Sequence, residues 1–195
     1  MKKAQTDSVV LVFLVLAILV SSVGLLVTLK RPGIAQISGE VTGVAKVNVS
    51  ASIAISLPVS MIDFGNKYPG SSDDTTDDIP LPIKVQNDGS VNVNLSIARY
   101  SGSTYLFSGT GGGDNSSSFQ FKFDSTSTEP GSFNSGASIT TFTNVPGTVG
   151  IQNALAQLGY TNSADEAELD LKINIPIDEP TGAKTTTLEL LATQS

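Results

Sequence analysis

From Val9 to Leu29 the chain runs without a single charge, between Lys2 and Lys3 on one side and Lys30 and Arg31 on the other. A hydrocarbon core about 30 Å thick takes roughly 20 helical residues to cross, so this stretch reads as a membrane-length helix. Pro32 and Gly33 break it. Beyond them the chain is polar, acidic and written in strand period. The expected organisation is a short N-terminus at 1–8, a transmembrane helix at 9–30, a linker at 31–43 and an external β domain at 44–195.

The clearest strand signal is Val47, Val49, Ala51, Ile53, Ile55 and Leu57, alternating with polar or small residues. Period two over that length buries one face and wets the other. It returns at Ile79, Leu81, Ile83 and Val85, at Val91, Val93, Leu95 and Ile97, and at Phe119, Phe121 and Phe123. It appears again at Leu169, Leu171, Ile173, Ile175 and Ile177, and at Leu188 and Leu190, with a less regular stretch near 138–145. Asn87-Asp88-Gly89-Ser90 carries a hairpin-turn signal. Pro80 and Pro82 lack ladder donors and predict an edge strand or an irregular start. One patch has helical spacing: Thr148 to Leu158 puts Ile151, Leu155 and Leu158 on one face before Gly159. Gly109–Ser118 predicts a flexible loop tip. Together these give an all-β domain, an immunoglobulin-like antiparallel β-sandwich of about seven strands with one short helix. With neither Cys nor Trp, the immunoglobulin label describes topology only.

Composition excludes whole classes of chemistry. The chain has no His and no Cys, so disulfides, Cys–His pairs and Ser-His-Asp triads are out, as is the commonest zinc ligand. Of 11 basic residues four flank the apolar run, leaving seven against 17 of the 18 acidic ones, a net charge of −10 beyond Arg31. Such a surface repels nucleic acid and anionic lipid. The expectation is a non-enzymatic protein with no nucleic-acid partner and no cofactor, Ca²⁺ aside.

Asp73, Asp74, Asp77 and Asp78 form the densest acidic cluster and are the candidate Ca²⁺ ligands, since Ca²⁺ takes six to eight oxygens. They lack the alternate-residue spacing and the Gly of a helix-loop-helix calcium loop, and a solvated acidic loop is the plainer reading. Asp165 and Glu166 predict a charged strand edge that discourages aggregation. Asn48, Asn94 and Asn115 head acceptor sequons and are the glycosylation candidates, Asn115 foremost because it lies in the Gly-rich loop.

Three fates of the N-terminus stay open. A cleavable signal peptide has a shorter apolar stretch and a small-x-small site, which Val20-Ser21-Ser22-Val23-Gly24 does not supply. An uncleaved single-pass anchor fits the length, with the acidic domain outside. Lys2-Lys3-Ala4-Gln5-Thr6-Asp7 resembles the processing site of archaeal type IV pilin-like precursors. That resemblance implies a cut after Ala4 and a retained helix packed in a filament core. Pro32-Gly33 departs from the long stalk of that family.

The external domain carries a second resemblance, in Asp63-Phe64-Gly65, Tyr68-Pro69-Gly70-Ser71, Val85 to Ser90, and Pro176 to Ala183. These phrases resemble camelysin-like matrix-fibre subunits and small archaeal secreted β-sandwich proteins. The resemblance implies a surface location and self-assembly by donation of a strand, with residues 34–57 the natural donor. The metallopeptidase class attached to camelysin does not carry over to a chain without His. The resulting expectation is a single-pass cell-membrane protein, extracellular domain outward. It would be structural or adhesive, a filament or matrix subunit. The alternatives are a pilin-like subunit and a Ca²⁺- or glycan-binding module on a membrane stalk.

Overall fold

The computed structural model describes residues 50–148 and 150–195. The apolar run Val9–Leu29, the processing candidate Ala4 and the sequon residue Asn48 lie outside them. Among the described residues no helix is long and apolar enough to cross a membrane.

Nine strands follow one another among the described residues: β1 (Ile55–Val59), β2 (Ser72–Asp74), β3 (Ile83–Asn87), β4 (Val93–Arg99), β5 (Phe119–Ser125), β6 (Thr143–Asn144), β7 (Ile151–Leu158), β8 (Glu166–Asn174) and β9 (Leu188–Gln194). All pairings are antiparallel. One sheet runs β1-β3-β8-β5-β6, with β2 also on β8, and the other runs β7-β4-β9. The alternating residues supply the core from both sheets. Val85, Leu169, Phe121 and Phe123 come from the first, and Val93, Leu95, Ile97, Leu155 and Leu158 from the second, all fully buried. Phe121 and Phe123 meet edge to face, their ring centres 6.1 Å apart.

The structure corrects the sequence at four places. The segment read as a helix, Thr148 to Leu158, is the strand β7. On β4 the inward residues Val93, Leu95 and Ile97 step by two, whereas their partners on β7 are Leu158, Leu155 and Ile151. Asn153 and Gln157, at φ 52° and 57°, absorb the surplus residues as bulges. Two bulges in eight residues thus reproduce helical spacing on a strand. The only helical turn among the described residues is a 3-10 turn at Ser135–Ala137.

Asn87-Asp88-Gly89-Ser90 is not a hairpin either. It lifts the chain from β3 in one sheet to β4 in the other. Asn87 is buried, its Nδ2 donating to the carbonyls of Val91, Leu158 and Gly159 and its Oδ1 accepting from Gly89 N–H. A side chain on Gly89 would collide with the Ser52 carbonyl, so the corner needs glycine.

Asp165 and Glu166 do not guard an edge. Glu166 opens β8, which lies between β3 and β5, and Asp165 just before it is buried. Finally, the alternation overran the strands: Ile79, Leu81 and Ile177, read as inward, are exposed. β3 starts only after Pro82, the irregular start that Pro80 and Pro82 predict.

Beside the β7 edge, Asn134 to Ile139 bridges the two sheets. Ile139 N–H donates to Ala154 O, and Ile139 O accepts from Phe123 N–H. That flank is closed by backbone hydrogen bonds. The other flank is formed by β1 and β9, each paired on one side only among the described residues.

Candidate functional site

The acidic segment is spent on local structure. β2 pairs Asp73 with Ile173 and Asp74 with Lys172. The Asp73 carboxylate takes Lys67 Nζ at 2.6 Å. Asp74 accepts from the backbone and hydroxyl of Thr76; the Thr76 hydroxyl is the main reason its carboxyl lies below the usual range. Asp77 accepts from Ile79 N–H at 3.1 Å, an Asx turn, and Asp78 sits at φ 62°. Among the described residues no group of three or more acidic side chains lies close enough to hold a metal ion. A Ca²⁺ shell from these four would have to pull Asp73 off Lys67 and Asp74 off Thr76.

Thr75, at the centre of the segment, is fully buried. Its hydroxyl donates to Asp170 Oδ1 at 2.7 Å and accepts from Leu171 N–H at 3.1 Å. Asp170 faces Lys122 Nζ at 3.3 Å, and Lys122 also holds Asp124 at 2.7 Å. Burial works against the Lys122 charge, but Asp124 and Asp170 outweigh it and raise its pKa. Lys122 and Lys172 both lie over the Phe142 ring, at 5.6 and 5.4 Å.

The glycine-rich loop is fastened, a finding that its composition did not announce. Glu179 accepts the N–H groups of Ser108 and Gly109 at 2.9 and 2.6 Å and is paired with Lys184. Asp178 accepts Thr110 N–H at 2.8 Å and its hydroxyl at 2.6 Å. Burial opposes ionisation of Glu179, but Lys184 and the two backbone donors overcome it and hold the carboxyl below its usual range. On the far side Arg99 grips Asp114 through two bonds of 2.6 and 2.7 Å and lies over Tyr105. A recess beside this pair, about 10 Å³ and walled by Phe107, Phe119 and Val145, has room for about one water molecule.

The two described sequons differ. Asn115 is exposed, at φ 56°. Asn94 is half-buried on β4, the central strand of its sheet, with Oδ1 accepting from Gln157 N–H at 2.8 Å.

The free edges differ as well. β1 is short, breaks register between Ser56 and Val59 and carries Pro58, the usual protections of an edge. β9 pairs with β4 in continuous register from Leu188 to Gln194 and contains no Pro and one charge, Glu189. Leu188, Leu190 and Ala192 pack on the core, while Leu191 points out, 61% exposed. Seven unbroken residues whose backbone groups on one side have no partner among the described residues form a template for another strand.

No protein family model matches the sequence, and no curated protein does. The functional reading therefore stands on the chain's own residues.

Proposed function

We propose that this is a single-pass cell-surface protein whose acidic β-sandwich, immunoglobulin-like in topology, faces outward and joins copies of itself into a filament or matrix. The observation that carries the proposal is the edge of β9, unpaired among the described residues, regular over seven residues and guarded by one charge. The uncharged run Val9–Leu29 supports the anchor. The net charge of −10 beyond Arg31 suits a solvated surface. The phrases resembling camelysin-like fibre subunits favour strand donation; of the donor expected at residues 34–57, Ile55 and Ser56 are already paired with β3 of their own sheet, so the donated part lies ahead of β1. Asn115, exposed on its loop, is the glycosylation site this reading favours.

Negative-stain microscopy of membranes expressing the full chain tests it. Wild type is expected to form filaments, and Leu191→Lys with Thr193→Lys is expected to abolish them without lowering the melting temperature. Dispersed particles from wild type, or filaments from the doubly charged variant, refute assembly through β9.

Lys3-Ala4-Gln5 favours a second reading, a pilin-like subunit whose retained helix builds the filament core. The intact mass of the mature protein separates the two. Loss of residues 1–4 supports the pilin-like subunit, and loss of no more than Met1 supports the anchor.

A further inference from the structure

Asp165 and Glu129 are brought together at the start of β8, far apart in sequence and both almost wholly buried, at 5% and 9% exposure. Glu129 comes from the segment after β5, and its Oε2 accepts the backbone N–H groups of Asp165 and Glu166, both at 2.8 Å. The Asp165 carbonyl accepts from Asn87 N–H at 2.9 Å, so the pair abuts the corner that links the two sheets. Gln86 Nε2 reaches Asp165 Oδ2 only at 3.4 Å. Asp165 Oδ1 is buried and meets no donor among the described residues.

Among the described residues the surroundings offer no cation to compensate. β3 brings neutral Gln86 and Lys84, and Lys84 is engaged with Glu166 at 3.0 Å. Residues 126–134 bring Glu129 alone, the 159–164 turn only Tyr160, and the 88–92 corner only Asp88. β8 adds Glu166 and Glu168, and the end of β5 adds Asp124. Burial raises the pKa of Asp165; Gln86 opposes the rise, and the Glu129 carboxylate adds to it. Two buried carboxylates side by side repel each other, and the usual resolution is that one keeps its proton. Ca²⁺ would ask for six to eight oxygens, and two carboxyl groups already bound to backbone N–H and Gln86 are too few.

We propose that Asp165 and Glu129 share one proton in the folded domain and form a latch, closed by acid, that ties the start of β8 to the segment after β5. With the proton in place, Asp165 Oδ1 has a hydrogen bond to Glu129 instead of an unmet lone pair. The folded chain binds this proton more tightly than the unfolded chain does. The stabilisation is therefore complete below the unfolded value of 3.8 and is lost as pH rises through the raised folded value. The domain is firmest in mild acid and loosens at this point toward neutrality.

Thermal melts of the full chain in non-ionic detergent, from about pH 4 to about pH 8, test the latch. Asp165→Asn leaves an amide that donates to Glu129 whatever the pH. The melting temperature of wild type should therefore fall by about 4 °C more than that of Asp165→Asn across the range. Glu129→Gln should likewise lose that extra fall. Should either variant fail to fold, carboxyl ¹³C titration of wild type reads the same proton, with Asp165 titrating above the ordinary aspartate range. Equal slopes in wild type and Asp165→Asn, or ordinary titration of Asp165, overturn the proposal. So does a saturable rise in wild-type melting temperature with CaCl₂ that Asp165→Asn abolishes, which would make the shared occupant a cation.

Discussion

Replacing Asn87 tests whether one side chain holds the corner between the sheets. It is 1% exposed, and its Nδ2 lies 2.9, 3.2 and 2.7 Å from the carbonyls of Val91, Leu158 and Gly159. Its Oδ1 takes Gly89 N–H at 3.0 Å. An amide has two protons for those three carbonyls, so about three full hydrogen bonds are at stake. At about 1 kcal/mol net for each, Asn87→Ala should cost about 3 kcal/mol. Asn87→Asp keeps the bond to Gly89 but turns a negative charge on three carbonyls. At neutral pH it should cost more than alanine, about 4 kcal/mol. Burial among carbonyls raises the pKa of the new carboxyl, so folding takes up a proton and the variant regains stability in acid. Urea denaturation of the full chain reads both. With a slope of about 2 kcal/mol per molar, the alanine midpoint should drop by about 1.5 M at unchanged slope. An alanine variant within about 1 kcal/mol of wild type, or an aspartate variant no worse than alanine at neutral pH, would refute the reasoning.

Two further outcomes are expected. Arg99→Lys gives up the two-pronged grip on Asp114 and should cost about 1 kcal/mol, a value discounted for the partial exposure of the pair. Arg99 is also what holds the Asp114 carboxyl below its usual range. The wild-type stabilisation is therefore full above the unfolded value of 3.8 and lost as pH falls through the lower folded value. Melting temperatures at neutral pH and in strong acid should differ less for Arg99→Ala than for wild type. On β7, Gln157→Gly should be neutral or stabilising, because φ 57° suits glycine. Gln157→Val should cost about 2 kcal/mol, since a β-branched residue resists that conformation. Equal stability of the two variants in urea would argue against the bulge.

Period two marked β5 and β4 at Phe119–Phe123 and Val93–Ile97, but at Val47–Leu57 the described strand is only Ile55–Val59, and Ile53 and Leu57, read as inward, are exposed. β7 was not legible, because the bulges at Asn153 and Gln157 space Ile151, Leu155 and Leu158 as a helix would, and spacing was the only signal available. The Asp-Gly pair at 88–89 marked a reversal correctly, but the same turn chemistry serves a hairpin and a crossing between sheets. What separates them is the contact of Gly89 with Ser52, 37 positions earlier in the chain. Acidic residues read alike in the sequence whether solvated or buried. Asp73 and Asp74 make their bonds to near neighbours, whereas Asp165, Asp170 and Glu179 are buried by segments distant in the chain. Only the fold tells them apart. The flexible tip expected at Gly109 is fastened by Asp178 and Glu179, about 70 residues away.

The order of the strands also governs when folding can happen as the ribosome delivers the chain. β8 is the piece that joins β3 and β2 to β5, and it ends only at Asn174. Before it emerges, β1–β3 and β5–β6 are separate fragments with no strand between them. Phe121 and Phe123, buried in the finished domain, then have no sheet to enter. The last seven-residue strand, β9, must still arrive to complete the second sheet. Most of the domain therefore has to be made, and kept from premature pairing, before any stable part of it exists. Such non-local pairing is slow to form. A chain with this strand order acquires its shape in one late step.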